Sequence, residues 1–117
     1  MSGKVSYLAG MAAEDSVARV YEVNGYRVAE RRWRGKRGEI DLIIRGGDEV
    51  IFVEVKKSGD FLRAAEALSE AQIKRLYQTM AEFLSGEPKG DLTPCRFDVA
   101  LVNGTGEVQI LENALGY

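Results

Sequence analysis

Residues 39–57 constrain the fold more than any other stretch. Two runs rich in Ile, Val and Phe, Glu39 to Arg45 and Glu49 to Lys57, flank Gly46-Gly47-Asp48, the pattern of an antiparallel hairpin. Between Ile51 and Val55 the apolar residues fall on both parities. Successive side chains of a strand point to opposite faces, so this strand needs cover above and below. A chain of 117 residues has material for one such core and not two. The hairpin therefore predicts a single α/β domain with helices on both faces of a sheet.

The flanking sequence supplies the cover. Ala13, Val17, Val20 and Tyr21 recur at helical spacing between about Ala9 and Asn24, and Gly25 follows as a C-terminal stop. Tyr26 to Arg34 reads as a strand and Gly35-Lys36-Arg37-Gly38 as its turn. Arg63 to Leu84 carries Ala64, Leu68, Ala71, Leu76, Met80 and Phe83 close to one stripe, which predicts a second, longer helix. Ser85 to Pro94 is a loop with two Gly and two Pro, and Arg96 to Val102 and Glu107 to Leu111 are two further strands around Asn103-Gly104-Thr105-Gly106. The order is αβββαββ: a mixed central sheet of about five strands flanked by helices, with the second helix as the crossover.

Phe52, Glu54 and Lys56 share one strand face, and Glu39, Asp41 and Ile43 share one face of the strand before it. A hairpin that pairs Arg45 with Val50 sets Asp41 across from Glu54 and Glu39 across from Lys56. A register that pairs Arg45 with Asp48 leaves Asp41 and Glu54 as diagonal neighbours on the same face. Two carboxylates so placed repel, and a divalent cation between them reverses the sign of that interaction. Asp41 and Glu54, with the backbone carbonyl of Val55, form a candidate oxygen site for Mg²⁺ or Mn²⁺. Lys56 is the candidate to orient water and offset negative charge. The same three side chains also fit a solvated sheet face with a cross-strand ion pair. Asp98 is expected to anchor its strand through a hydrogen bond.

What the chain lacks narrows the chemistry. It contains no His and one cysteine, Cys95. That removes Ser-His-Asp and Cys-His catalysis, imidazole-held zinc and an internal disulfide. No stretch approaches the roughly 18 apolar residues of a spanning helix, and no apolar signal region is evident near Met1, so a cytoplasmic address without a membrane partner is expected. The net charge is −2, yet between Arg27 and Arg37 six basic residues stand against Glu30 alone. Arg31, Arg32, Arg34, Lys36 and Arg37, with Trp33 to stack on bases, form a candidate nucleic-acid contact, or else a charged edge strand.

Asp41 followed by Glu54-Val55-Lys56 resembles the PD-(D/E)xK pattern of restriction-endonuclease-like nucleases, including archaeal Holliday-junction resolvases. Ala13-Glu14, Gly25-Tyr26, Trp33-Arg34, Gly38 to Ile43, Phe52 to Lys56 and Arg96 to Val99 together resemble the YraN family of bacterial proteins. The resemblance implies a restriction-endonuclease-like fold and a metal-dependent nuclease acting on DNA, branched or structured forms included. It also implies that Glu14 is a helix-borne acid near the metal. Two positions depart from the pattern: Gln72 stands where a Lys is expected, and Ser58 where a basic residue often follows. The other readings are a non-catalytic nucleic-acid-binding module and a protein-interaction scaffold. The oligomeric state stays open, a dimer included.

Overall fold

A computed structural model describes residues 3–57 and 69–115. Helix α1 (Gly3–Val23) leads into strands β1 (Arg27–Arg34), β2 (Glu39–Gly46) and β3 (Glu49–Lys57). Helix α2 (Glu70–Leu84), a short 3-10 turn at Gly90–Leu92 and strands β4 (Cys95–Val102) and β5 (Val108–Leu111) complete the order αβββαββ. The five strands lie side by side in chain order, all neighbours antiparallel except β3 and β4. That parallel pair requires a crossover, and α2 lies on it.

Each helix covers one face. On the α1 side Ala13, Val17, Ala18 and Tyr21 pack on Leu42, Ile44, Ile51, Val53, Ala100 and Val102. On the α2 side Leu76, Met80 and Leu84 pack on Ile40, Ile43, Val50, Phe52, Phe97, Val99 and Leu101. Ile51 and Phe52 are adjacent and fully buried in opposite layers. Each such side chain contributes about 1.5–3 kcal/mol by leaving water. The hairpin adopts the register with Arg45 opposite Val50, and the left-handed Gly47 (φ +60°) turns the chain. Diagonal pairing is thereby set aside.

Two boundaries move. The first helix begins at Gly3, ahead of the expected Ala9. The second was expected from Arg63, but Ser69 is extended (φ −80°, ψ 163°) and caps a helix that starts at Glu70; residues 63–68 lie outside the described part. Ser69 Oγ accepts from Gln72 N at 3.2 Å, and Gln72 Oε1 accepts from Ser69 N at 2.9 Å. Those reciprocal bonds satisfy donors that the helix ladder leaves open.

A buried polar clip ties α1 to the sheet. Tyr21 donates its hydroxyl to Asp98 Oδ2 at 2.7 Å, and Arg96 Nε and Asn113 N each reach Oδ1 at 3.0 Å. Asp98 thus anchors its strand as expected and holds α1 as well. Burial, and then the bond to Asp98 and its charge, push the Tyr21 hydroxyl far above the usual tyrosine range. Among the described residues no helix is long and apolar enough to cross a membrane.

Candidate functional site

The β2–β3 ladder runs from the hairpin turn to Leu42 opposite Val53 and stops there. One residue further on, Asp41 Oδ2 accepts the Val55 N–H at 2.8 Å, so a side chain takes up a backbone donor. The pleat breaks at the same level. Ile40 should share a face with Leu42 and Ile44, yet it packs on the α2 side while they pack on the α1 side. On β1 the register places Arg32 opposite Asp41, and Arg32 is left-handed (φ +50°), which costs a non-glycine residue about 1–2 kcal/mol.

Asp41 and Glu54 meet at this break, close enough that each carboxyl group shifts the proton affinity of the other. Lys56 Nζ lies 3.3 Å from Glu54 Oε1, with side-chain exposures of 26% and 20%. Burial is the main influence on both acids and raises both pKa values. For Asp41 the Val55 N–H opposes it; for Glu54 the neighbouring Asp41 charge adds to it and Lys56 opposes. Glu54 is pushed up to about 7. Two acids held together in a largely dry place need one positive charge between them, a proton or a cation.

Glu54 of the pair lines a cleft of about 130 Å³ together with Gly38, Glu39 and, from α2, Gln72, Arg75, Leu76 and Thr79. Positions 72, 75, 76 and 79 share one side of a helix. The turn after β1 closes against α2: Lys36 N donates to Glu82 Oε1 at 2.9 Å, and a Cβ on Gly38 would come within 2.8 Å of Thr79 Oγ1. Glycine is required at 38 by that approach.

The other expected residues fall as follows. Glu14 is buried on α1 and its partner is Arg32 at 3.2 Å, not the acid pair. Glu39, expected across from Lys56, lies beyond the end of the ladder and bonds Arg34 at 3.1 Å. Val55 meets the site through its N–H. Among the described residues no group of three acidic, His or Cys side chains is assembled to hold a metal. In the basic run Arg31 pairs with Asp15 at 2.8 Å, while Lys36 and Arg37 are exposed. Trp33 is half-buried and meets Phe83 edge to face at 5.3 Å, its ring packed on the α2-side core. Ser58 lies outside the described residues. Gln72 spends its carbonyl on the helix cap. Arg75 and Thr79 were missed, although the i, i+3, i+7 spacing within the expected helix already puts them on one face with Gln72.

Fold and site together define a small mixed α/β protein with a paired-acid centre beside a helix-walled cleft. Residues 13–102 match the uncharacterised protein family UPF0102. A UPF0102 protein of Ruegeria pomeroyi is 63% identical over 115 residues, covering 98% of this chain and 94% of the relative. One of Cereibacter sphaeroides is 60% identical over 114 residues, covering 97% of each, and one of Dinoroseobacter shibae is 46% identical over 111 residues, covering 95% and 83%. The chain belongs to UPF0102, the YraN-like family.

Proposed function

We propose that this protein is a metal-dependent nuclease of the PD-(D/E)xK kind that hydrolyses phosphodiester bonds in DNA. The observation that carries the reading is the contact between two largely buried carboxyl groups, Asp41 and Glu54, with Lys56 on the second. A structural ion pair has no need of two acids in contact, and their mutual repulsion is a standing cost unless a proton or a cation is there to relieve it.

The donor set suits a hard divalent ion. Asp41 and Glu54 offer carboxylate oxygens, and Mg²⁺ or Mn²⁺ commonly takes one or two carboxylates and fills its remaining positions with water and substrate phosphate. Two protein acids therefore suffice without a third. When bound, the ion supplies charge neutralisation and Lewis acidity toward a phosphoryl oxygen. The chain's own groups do the rest. The Val55 N–H holds Asp41 in one orientation. The Lys56 ammonium stands beside Glu54 and offsets negative charge that grows as the ester is attacked. The two carboxyl groups are themselves largely buried, which strengthens each of these interactions.

A cleavage screen with Mn²⁺ across single-stranded, duplex, flap and four-way-junction DNA tests the proposal. Cleavage of at least one substrate by the wild type, lost in Asp41→Ala and in Lys56→Ala, is the expected result. No metal-dependent cleavage of any substrate overturns it. Salt-sensitive binding without turnover would then identify a non-catalytic module.

A further inference from the structure

The α2 wall of the cleft that Glu54 lines has a different chemistry. Of the α2 residues that line it, Gln72 is engaged in the helix cap, Thr79 donates to the Arg75 carbonyl and Leu76 belongs to the core. Among the described residues that line the cleft Arg75 is the one cation, and it is exposed. Its guanidinium makes no ion pair with any acid among the described residues, although Glu39 and Glu54 line the same cleft. The arginines that stand out in the sequence are in the opposite situation. Arg31, Arg32 and Arg34 are bonded to Asp15, Glu14 and Glu39. To serve a ligand each must first give up that partner.

An arginine facing two carboxylates across a narrow space closes on them unless the arrangement leaves room for something between. The group that satisfies both walls is itself anionic on the arginine side and shares a cation with the acids on the other. A phosphodiester has that property, and the planar guanidinium fork matches two of its oxygens. We propose that Arg75 is the phosphate-binding residue of this cleft, holding the backbone of a nucleic-acid strand against α2. The choice of substrate rests on the nuclease reading above; the placement of the contact on α2, away from the basic edge strand β1, does not.

The test is equilibrium binding of a short fluorescein-labelled single strand to the full chain, followed by anisotropy with Ca²⁺ present, so that no turnover is needed. Arg75 is solvent-exposed on a helix, and Ala has the higher helix propensity, so Arg75→Ala folds. Affinity is expected to fall about tenfold in Arg75→Ala and the salt slope to drop by about one charge, with part of the affinity kept in Arg75→Lys. Lys89→Ala, in the loop after α2 with its ammonium 3.7 Å from Asp48, is expected to stay within about twofold, as a remote surface charge should. An unchanged affinity in Arg75→Ala, an equal loss in Lys89→Ala, or no binding by the wild type overturns the proposal. Cleavage by the same preparations with Mn²⁺ reports separately on the nuclease reading. A strand that binds through Arg75 and is never cut sinks that reading and leaves this one standing.

Discussion

At the scale of single residues, the acid pair makes a statement about pH. The proton on Glu54 is held more tightly in the folded chain, with the pKa at about 7, than at the ordinary glutamate value of 4.5. A raised folded value means stability that is complete below the unfolded pKa and is lost as pH climbs through the folded one. The chain should therefore be most stable near pH 4.5 and weaken up to about pH 7, by something on the order of 1–3 kcal/mol. Asp41, raised chiefly by burial, pulls the same way. Glu87, held below its usual value by Arg45, pulls the other way, but its contribution is lost only as pH falls beneath 4.5. Urea midpoints measured at pH 5 and pH 8 should differ in the wild type and converge in Glu54→Gln. An equal difference in both proteins would mean that the proton on Glu54 is not its source. The pairing of Asp41 with Glu54 was open to sequence reasoning because a two-residue hairpin leaves few registers. Its burial was not, since that depends on where α2 lies.

At the scale of elements, the strands were easier to read than the helix ends. Alternation and both-parity burial mark β2 and β3 directly, because a one-residue slip would turn their apolar sets outward. Helix periodicity has no such penalty at its ends, and the run from Arg63 looked continuous with α2 because Ala64 and Leu68 fall near the same stripe. The boundary signal is the capping box of Ser69 and Gln72. It also explains Gln72, which looked like a missing positive charge and acts as the partner of Ser69 N. Ser69→Ala should lower the unfolding free energy by about 1 kcal/mol, and Ser69→Asp should restore most of it. Thermal unfolding of the two variants checks this. No loss in Ser69→Ala would show that packing of Leu76, Met80 and Leu84 sets the helix start without the cap.

At the scale of the whole molecule, the acid pair sits where three elements lose their regularity together. The β2–β3 ladder ends at Leu42, Arg32 on β1 is left-handed, and the turn at Gly38 presses on Thr79 of α2. The basic run drew attention by its charge, but charge in sequence does not reveal which cations are already neutralised. Glu14 and Asp15 on α1 and Glu39 on β2 take up Arg32, Arg31 and Arg34 only once α1 and β2 are in place. A cation held by Asp41 and Glu54 links β2 to β3 in the folded state and has no preformed site in the unfolded chain. It should therefore act as a ligand of the native state alone. At a concentration about a hundred times its dissociation constant it adds about 2.7 kcal/mol, or roughly 10 °C for a domain of this size. Differential scanning fluorimetry with Mn²⁺ at pH 8 should show that rise in the wild type, and the pH-dependent weakening should shrink with it, because the metal displaces the proton on Glu54. Asp41→Ala should abolish the rise, whereas Lys56→Ala should keep it while losing cleavage. A shift that survives Asp41→Ala would place the metal elsewhere on the surface and leave the paired acids as a buried structural contact.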